Sequence, residues 1–377
     1  MSRRIQYHHL IEYEIHETAD VFDEDNPALA QAAHMSCGKP QLVVVDQTVY
    51  AAWGAQIDGY LARYSDSAAV LAVDATESYK SMDTAMLIAD SADRAGIVRR
   101  SSPLVAIGGG VLCDLVGFAA SIYRRGVPYV RVPTTIIGMV DAAIGAKTAV
   151  NAHGHKNRLG SYHPSATTVI DPGLLASLPG RQVSNGAAEI LKMALIGNPS
   201  LFATLESHAE QLLETNFMSP IGRQVLAQAI DDMLAHLEPN LLEVNLYRLV
   251  DFGHTFSPVL ELFPGGGLLH GEAVAIDMAL CAVIAQERGM LTAESCDRIL
   301  RLLRRFRLPE DVSWASLDLL MSGLADAIRH RNGQQNFVVP TSLGAATFIQ
   351  DVQRAEVGQA WSILRDLARS EDAGALV

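Results

Sequence analysis

Five short apolar runs in the first half of the chain each stop on a polar residue, a glycine or a proline. Residues 41–45 stop at Asp46, 68–73 at Asp74, 104–107 at Gly108-Gly109-Gly110, 129–132 at Pro133, and 167–170 at Asp171-Pro172. Helical stretches such as 83–95 lie between them. Alternation of this kind predicts an α/β layer with a mainly parallel sheet. Such sheets bind ligands at the carboxyl ends of their strands, which is where Asp46, Glu77, the glycines, Thr134 and Thr135 fall.

After residue 180 the pattern turns helical, with segments at 186–196, 200–213, 220–237, 270–288 and 293–306 separated by Gly and Pro breaks. The boundary is placed near Pro179-Gly180, giving domains 1–180 and 181–377, with a fraying tail at 370–377. At 377 residues the chain is long enough for two cores. A net charge of −13 argues against a nucleic-acid partner and makes any local basic cluster conspicuous. The four cysteines form no CxxC pair, which leaves free buried thiols as the simple reading. The first residues lack an apolar signal core and no run reaches 18 apolar residues, so no membrane is expected and the cytoplasm is the expected compartment.

Four constellations bear on chemistry. GGGVLCDLVGFAAS at 108–121 offers backbone amides and a helix start to a pyrophosphate, although it lacks the GxGxxG spacing and a tight turn without a ligand looks the same. Asp46, Glu77 and Lys80 suit the adenosine end of a dinucleotide, or are simply helix caps and turns. The stretch 141–157 gathers Asp141, Lys147, Asn151, His153, His155, Lys156 and Asn157 behind Arg124-Arg125, a set suited to phosphate unless it is a solvated loop. Glu189, His254 and His270 lie on three separate segments and make a sound zinc donor set. Spacing does not establish that site without an HExxH, and His270 and Glu272 fall on different helix faces.

Taken in order, GGGVLCDLVGFAAS, RVPTT, MVDAAIGAKTAVN, HKNRLG, GAAEILKMA, DFGHT and LLHGEAVA resemble dehydroquinate synthase and its sugar phosphate cyclase relatives, over about residues 40 to 285. The resemblance implies an α/β N-terminal Rossmann-like domain and an all-α C-terminal domain. It implies that Asp46, Glu77, Lys80, Gly109, Gly110, Val111, Asp114, Thr134 and Thr135 hold NAD, together with Asp141, Lys147 and Lys156. It implies that Glu189, His254 and His270 bind Zn²⁺ or Co²⁺. Lys147, Lys192, Asp141 and Asp251 are then the catalytic candidates, and Arg125, Lys156, Asn157, Glu243 and His330 the substrate contacts. The resemblance also implies that Arg125 reaches a neighbouring subunit's phosphate site, so a homodimer acting on a small sugar phosphate is expected.

The departures from the family pattern narrow the substrate. Where dehydroquinate synthases read GHTxGHAxE, this chain reads GHTFSPVLE, with Pro258 in place of the second histidine. Asp251 stands for an asparagine, Met233 for a pocket lysine and Tyr247 for an arginine. A buried carboxylate needs charge-assisted partners, so losing both cations points to a substrate without one. The pattern, with the RHRNG segment at 329–333, resembles the sedoheptulose 7-phosphate cyclases. The implied cycle oxidises a secondary alcohol, eliminates phosphate, reduces the ketone again and closes the ring by an aldol step, without net redox change. An alcohol dehydrogenase of the glycerol dehydrogenase type is the rival reading, and it accumulates NADH. A non-catalytic binding protein of the same fold is the other.

Overall fold

The computed structural model describes residues 2–7, 10–263, 267–310 and 314–374, with side chains as far as residue 368. It divides into two compact units. The first comprises residues 1–133, 146–149 and 160–171.

Along this unit run β1 (Glu14–Glu17), α1 (Ala28–Ala32), β2 (Gln41–Asp46), α2 (Gln47–Tyr64), β3 (Ala68–Val73), α3 (Met82–Arg94), β4 (Leu104–Gly108), α4 (Gly110–Ile122) and β5 (Tyr129–Pro133). A hairpin of β6 (Lys147–Ala152) and β7 (His155–Tyr162) follows, and β8 (Thr167–Ile170) completes the sheet. Six strands lie in the order β1-β8-β5-β4-β2-β3, and every neighbouring pair is parallel. Both β4 and β5 are buried along their whole length, and β2 is buried up to Asp46. Parallel strands covered on both faces read as unbroken apolar runs, which is how β2, β4, β5 and β8 announce themselves; β3, at the far edge, is an apolar run although only Val73 in it is buried. The sixth, β1, reads EIHE and is largely exposed at the edge, so it carries no such signal. From β2 the chain passes to β3 on one side, and β4 then pairs on the other side of β2. That reversal is the topological switch at which a parallel sheet opens a crevice.

The second unit comprises residues 134–145, 150–159 and 172–377. Its helices are α5 (Gly180–Gly197), α6 (Pro199–Glu214), α7 (Pro220–Leu237), α8 (Ser257–Glu261), α9 (His270–Glu287), α10 (Ala293–Arg305), α11 (Leu317–His330) and α12 (Arg354–Gly374). Two of them form the centre: α5 is buried from Val183 to Ile196, α9 from Gly271 to Ala285, and they pack on each other. A helix apolar nearly all round has to be interior.

Three differences from the sequence reading stand out. The division is not a single cut at residue 180: the wide helical turn Gly138–Ala142 packs on α7 and α5 and carries residues 134–145 into the helical unit. The helical unit also holds an antiparallel hairpin, β9 (Phe337–Ser342) with β10 (Ala345–Ile349). Of the four free cysteines, Cys113, Cys281 and Cys296 are buried as expected, but Cys37 is exposed. The expected fraying at 370–377 falls outside the described side chains, and its last three residues outside the described chain. Among the described residues, no helix is long and apolar enough to cross a membrane.

Candidate active site

In the first unit the cofactor candidates meet at the switch point. Asp46 ends β2 and caps α2, its Oδ1 accepting from the Thr48 amide at 2.7 Å and the Thr48 hydroxyl at 2.5 Å. The neighbouring strand β4 runs into Gly109, the N-cap of α4, so Gly109, Gly110 and Val111 present the first amides of that helix beside the end of β2. Unsatisfied amides and the positive end of a helix suit a phosphate. Glu77 opens a short helical turn that ends before Lys80. Lys80 is 5% exposed, and its Nζ lies 2.6 Å from Asp114 Oδ2 on α4. Two residues read separately as cofactor contacts are thus one buried ion pair. The cap reading of Asp46 also holds, and a cap leaves its second oxygen out of that role.

Arg125 lies at the end of the turn Tyr123–Arg125, exposed and with no ion pair among the described residues. Arg124, Arg125 and Gly126 are consecutively left-handed, with φ of 49°, 64° and 103°. Two non-glycine residues held there cost on the order of 1 kcal/mol or more each, a strain that proteins concentrate at functional loops. Lys147 starts β6 and is exposed. Thr134 and Thr135 follow β5 directly and belong to the second unit, where the Thr135 hydroxyl accepts the Gly138 amide.

In the second unit three donors converge. Glu189 comes from α5, His270 is the first residue of α9, and His254 follows the turn Leu249–Asp251. Their ligand atoms all lie within 4.8 Å of one another. His270 Nε2 is 3.3 Å and His254 Nε2 3.8 Å from Glu189 Oε1. Both Glu189 oxygens are sealed from water, and neither accepts a well-directed hydrogen bond. Burial opposes its charge, but the Lys192 ammonium and the His270 imidazole hold the carboxyl well below the usual range. Burial, then the charge of Lys192, lowers His254 to about 4, the neutral form that ligates. Burial also opposes a charged His270, yet the carboxylates of Glu189 and Glu261 hold it at about 9. A divalent cation at this point displaces that proton. One carboxylate and two imidazoles, with their second nitrogens already tied down, fit a zinc-type ion with open positions for substrate oxygens.

Those ties identify residues that sequence reasoning passed over. His254 Nδ1 is 2.9 Å from the Phe252 carbonyl. His270 Nδ1 is 3.2 Å from Glu261 Oε2, the carboxylate–histidine pairing that orients metal ligands. Glu261, the last residue of GHTFSPVLE, is also paired to Lys156. Burial would raise Glu261, but His270 and Lys156 override it and hold it at about 2. Glu272 is engaged by Arg181 and the Leu269 amide.

Gly271 explains part of this precision. A Cβ there would sit 1.9 Å from the Asn185 carbonyl oxygen of α5, and the Gly271 amide donates to Asn185 Oδ1 at 2.6 Å. Gly271→Ala must push α9, and with it His270, off α5. Overpacking of this kind costs about 1–3 kcal/mol. We expect a lower Tm and Zn²⁺ affinity weakened about ten-fold or more, read by melting curves with and without Zn²⁺. An unchanged pair of curves would contradict this packing.

Lys192, 2% exposed, places Nζ 2.5 Å from Glu189 Oε2 and 3.9 Å from Asp141 Oδ2. Asn157, left-handed at φ 50°, donates its amide to Asn151 Oδ1. A further charge cluster joins Arg248 to Glu243 at 2.6 Å and to Asp251 at 3.3 Å, with Arg331 also 3.3 Å from Asp251. Within RHRNG it is Arg331 that is buried, at 4% exposed; His330 lies exposed at the end of α11. Met233 is buried in α7, and the Tyr247 hydroxyl accepts from Gln350 while its ring packs edge-on against Phe348.

Residues 70–185 match the 3-dehydroquinate synthase N-terminal family and 186–330 the 3-dehydroquinate synthase C-terminal family. The chain is 45% identical to a 2-epi-5-epi-valiolone synthase of Streptomyces hygroscopicus subsp. jinggangensis, over 95% of this chain and 88% of that one. It is 36% identical to a demethyl-4-deoxygadusol synthase of Trichormus variabilis, over 99% and 92%. The solved structure of the Streptomyces hygroscopicus synthase, with NAD⁺ and Zn²⁺ bound, superposes with a TM-score of 0.93, covering 97% of this chain and 99% of that one.

Proposed function

The chain belongs to the 3-dehydroquinate synthase family, and from that premise we propose that it is an NAD- and zinc-dependent cyclase turning sedoheptulose 7-phosphate into 2-epi-5-epi-valiolone. The observation that carries the choice of substrate is the charge cluster: Arg248 and Arg331 are both matched by Glu243 and Asp251, while Met233 and Tyr247 supply no cation. On this reading a substrate carboxylate meets no unpaired cation at these positions, and a hydroxylated sugar needs none.

When bound, NAD supplies reversible hydride acceptance and the divalent ion supplies charge against a developing alkoxide. The chain's own residues do the rest. Asp46, Glu77, Lys80, Gly109, Gly110, Val111 and Asp114 hold the dinucleotide, joined by Thr134 and Thr135. Lys192, an ammonium fixed between Glu189 and Asp141, holds a proton for transfer at the substrate oxygen. Lys147, Lys156 and Asn157 orient the phosphate, while Asp251, Glu243 and His330 face the sugar end. The enzyme works in the cytoplasm as a homodimer.

Incubation with sedoheptulose 7-phosphate and a trace of NAD⁺ tests this. Phosphate release without NADH accumulation, and an NMR spectrum of 2-epi-5-epi-valiolone, is the expected result. One NADH per turnover would instead identify a dehydrogenase. The spectrum of 2-epi-valiolone or demethyl-4-deoxygadusol would move the product assignment.

Arg125 provides the test of assembly. A surface arginine in a solvated pair is worth at most about 1 kcal/mol, whereas an arginine lent to a partner's phosphate site is needed for turnover. Arg125→Ala should lower kcat/KM by about ten-fold or more with NAD affinity unchanged. Mixing it with inactive Lys192→Ala should restore activity in heterodimers, since one pocket regains both residues. Verified heterodimers that stay inactive would exclude the shared site.

A further inference from the structure

The structure assigns Asp277 as the residue that positions the metal-binding loop, an inference that rests on reading Glu189, His254 and His270 as a metal site. Asp277 lies on α9, two turns beyond His270, and is fully buried. Its Oδ2 accepts three successive backbone amides, from Thr255 at 2.7 Å, Phe256 at 2.5 Å and Ser257 at 2.9 Å. Oδ1 is approached by the Cys281 thiol at 3.3 Å. Burial pushes the Asp277 carboxyl up, and the three amides on one oxygen at these distances oppose that and favour the carboxylate.

The three amides have two consequences. They follow His254 directly, so the carboxylate fixes the backbone that aims that imidazole. The last of them, Ser257, is the first residue of α8, whose N-cap Phe256 offers no side-chain cap. Asp277 satisfies all three buried amides, Thr255 and Phe256 ahead of the helix and Ser257 at its start. The last residue of α8 is Glu261, which orients His270. One side chain therefore sets both histidines, one through the loop and the other through α8 and Glu261.

The approach is close from the other side as well. Gly253 has φ 74°, and a Cβ there would lie 2.9 Å from Val274 and 3.0 Å from Met278 on α9. The loop is pressed onto the helix that carries Asp277. Asp277 touches no ligand atom of the trio; it acts through the backbone.

Zn²⁺ affinity, measured by competition with a chelating dye, tests the assignment on the full-length protein. Asp277→Asn keeps the shape but loses the charge and one acceptor oxygen. It should bind Zn²⁺ about ten- to hundred-fold more weakly, the range for residues that orient metal ligands, with NAD affinity unchanged. Cys281→Ala removes only the thiol at the other oxygen and should stay within about two-fold of wild type. Equal losses in the two variants would indicate general loosening and overturn the assignment, as would an unchanged affinity in Asp277→Asn. Wild-type protein that binds no Zn²⁺ overturns the metal site itself, a distinguishable failure. Should Asp277→Asn not fold, hydrogen exchange on metal-free wild type decides: slow exchange at Thr255, Phe256 and Ser257 supports the clamp, and exchange at open-loop rates sinks it.

Discussion

His254→Ala is expected to lose bound zinc and turnover together while the protein stays folded. Removing one of three donors leaves Glu189 and His270, too few to hold an ion against bulk competition. The chemistry then loses the charge that stabilises an alkoxide, worth several kcal/mol, so kcat should fall about 10³-fold or more. The fold should persist, because Glu189 stays matched by Lys192 at 2.5 Å, and His270 by Glu261 at 3.2 Å. NAD affinity should be unchanged, since Asp46, Gly109, Gly110 and the Lys80–Asp114 pair belong to the first unit. Metal analysis, circular dichroism and an NAD titration on one preparation check all three points. A metal-free His254→Ala protein with full activity would end the metal reading.

The second large effect concerns acidic substrates. Sedoheptulose 7-phosphate should turn over, and 3-deoxy-arabino-heptulosonate 7-phosphate, which carries a carboxylate, should not. Met233 and Tyr247 bring no cation, and Arg248 and Arg331 already face Glu243 and Asp251. An unpartnered carboxylate in such surroundings costs several kcal/mol, a discrimination of roughly 10³-fold or more. Initial rates of phosphate release on the two compounds measure it directly. Comparable rates would refute the roles given to Met233 and Tyr247.

What could be read from the sequence followed burial. Strands covered on both faces leave unbroken apolar runs, so β2, β4, β5 and β8 stood out, while the polar edge strand β1 did not; the other edge strand, β3, stood out by its apolar sequence although most of it is not buried. The 141–157 stretch hid the β6–β7 hairpin, because its lysines and histidines drew the eye to charge. Its His153-Gly154 turn is left-handed at both residues, with φ of 53° and 74°, as a two-residue hairpin needs, but His-Gly lacks the Asn-Gly or Asp-Gly signature that announces such a turn in sequence. The metal trio was legible only through the order of motifs, since its members are distant in the chain and no periodicity joins them. Its supports were not legible at all. Glu261 sits in plain view at the end of a motif, but its contact with His270 depends on how α8 meets α9. The same holds for Arg331, whose neighbour His330 matched the family pattern and took its place in the reading.

The pairing of Lys192 with Glu189 bears on the order in which the protein matures. A small metal domain held together by its ion is unfolded until the ion arrives. Here the buried carboxylate has an ammonium beside it, and Glu261 has both Lys156 and His270, so the protein itself matches much of the charge at the three donors. A chain matched in this way is expected to complete its core before the metal arrives, so protein made under zinc depletion should be folded and gain activity on adding Zn²⁺ without new synthesis.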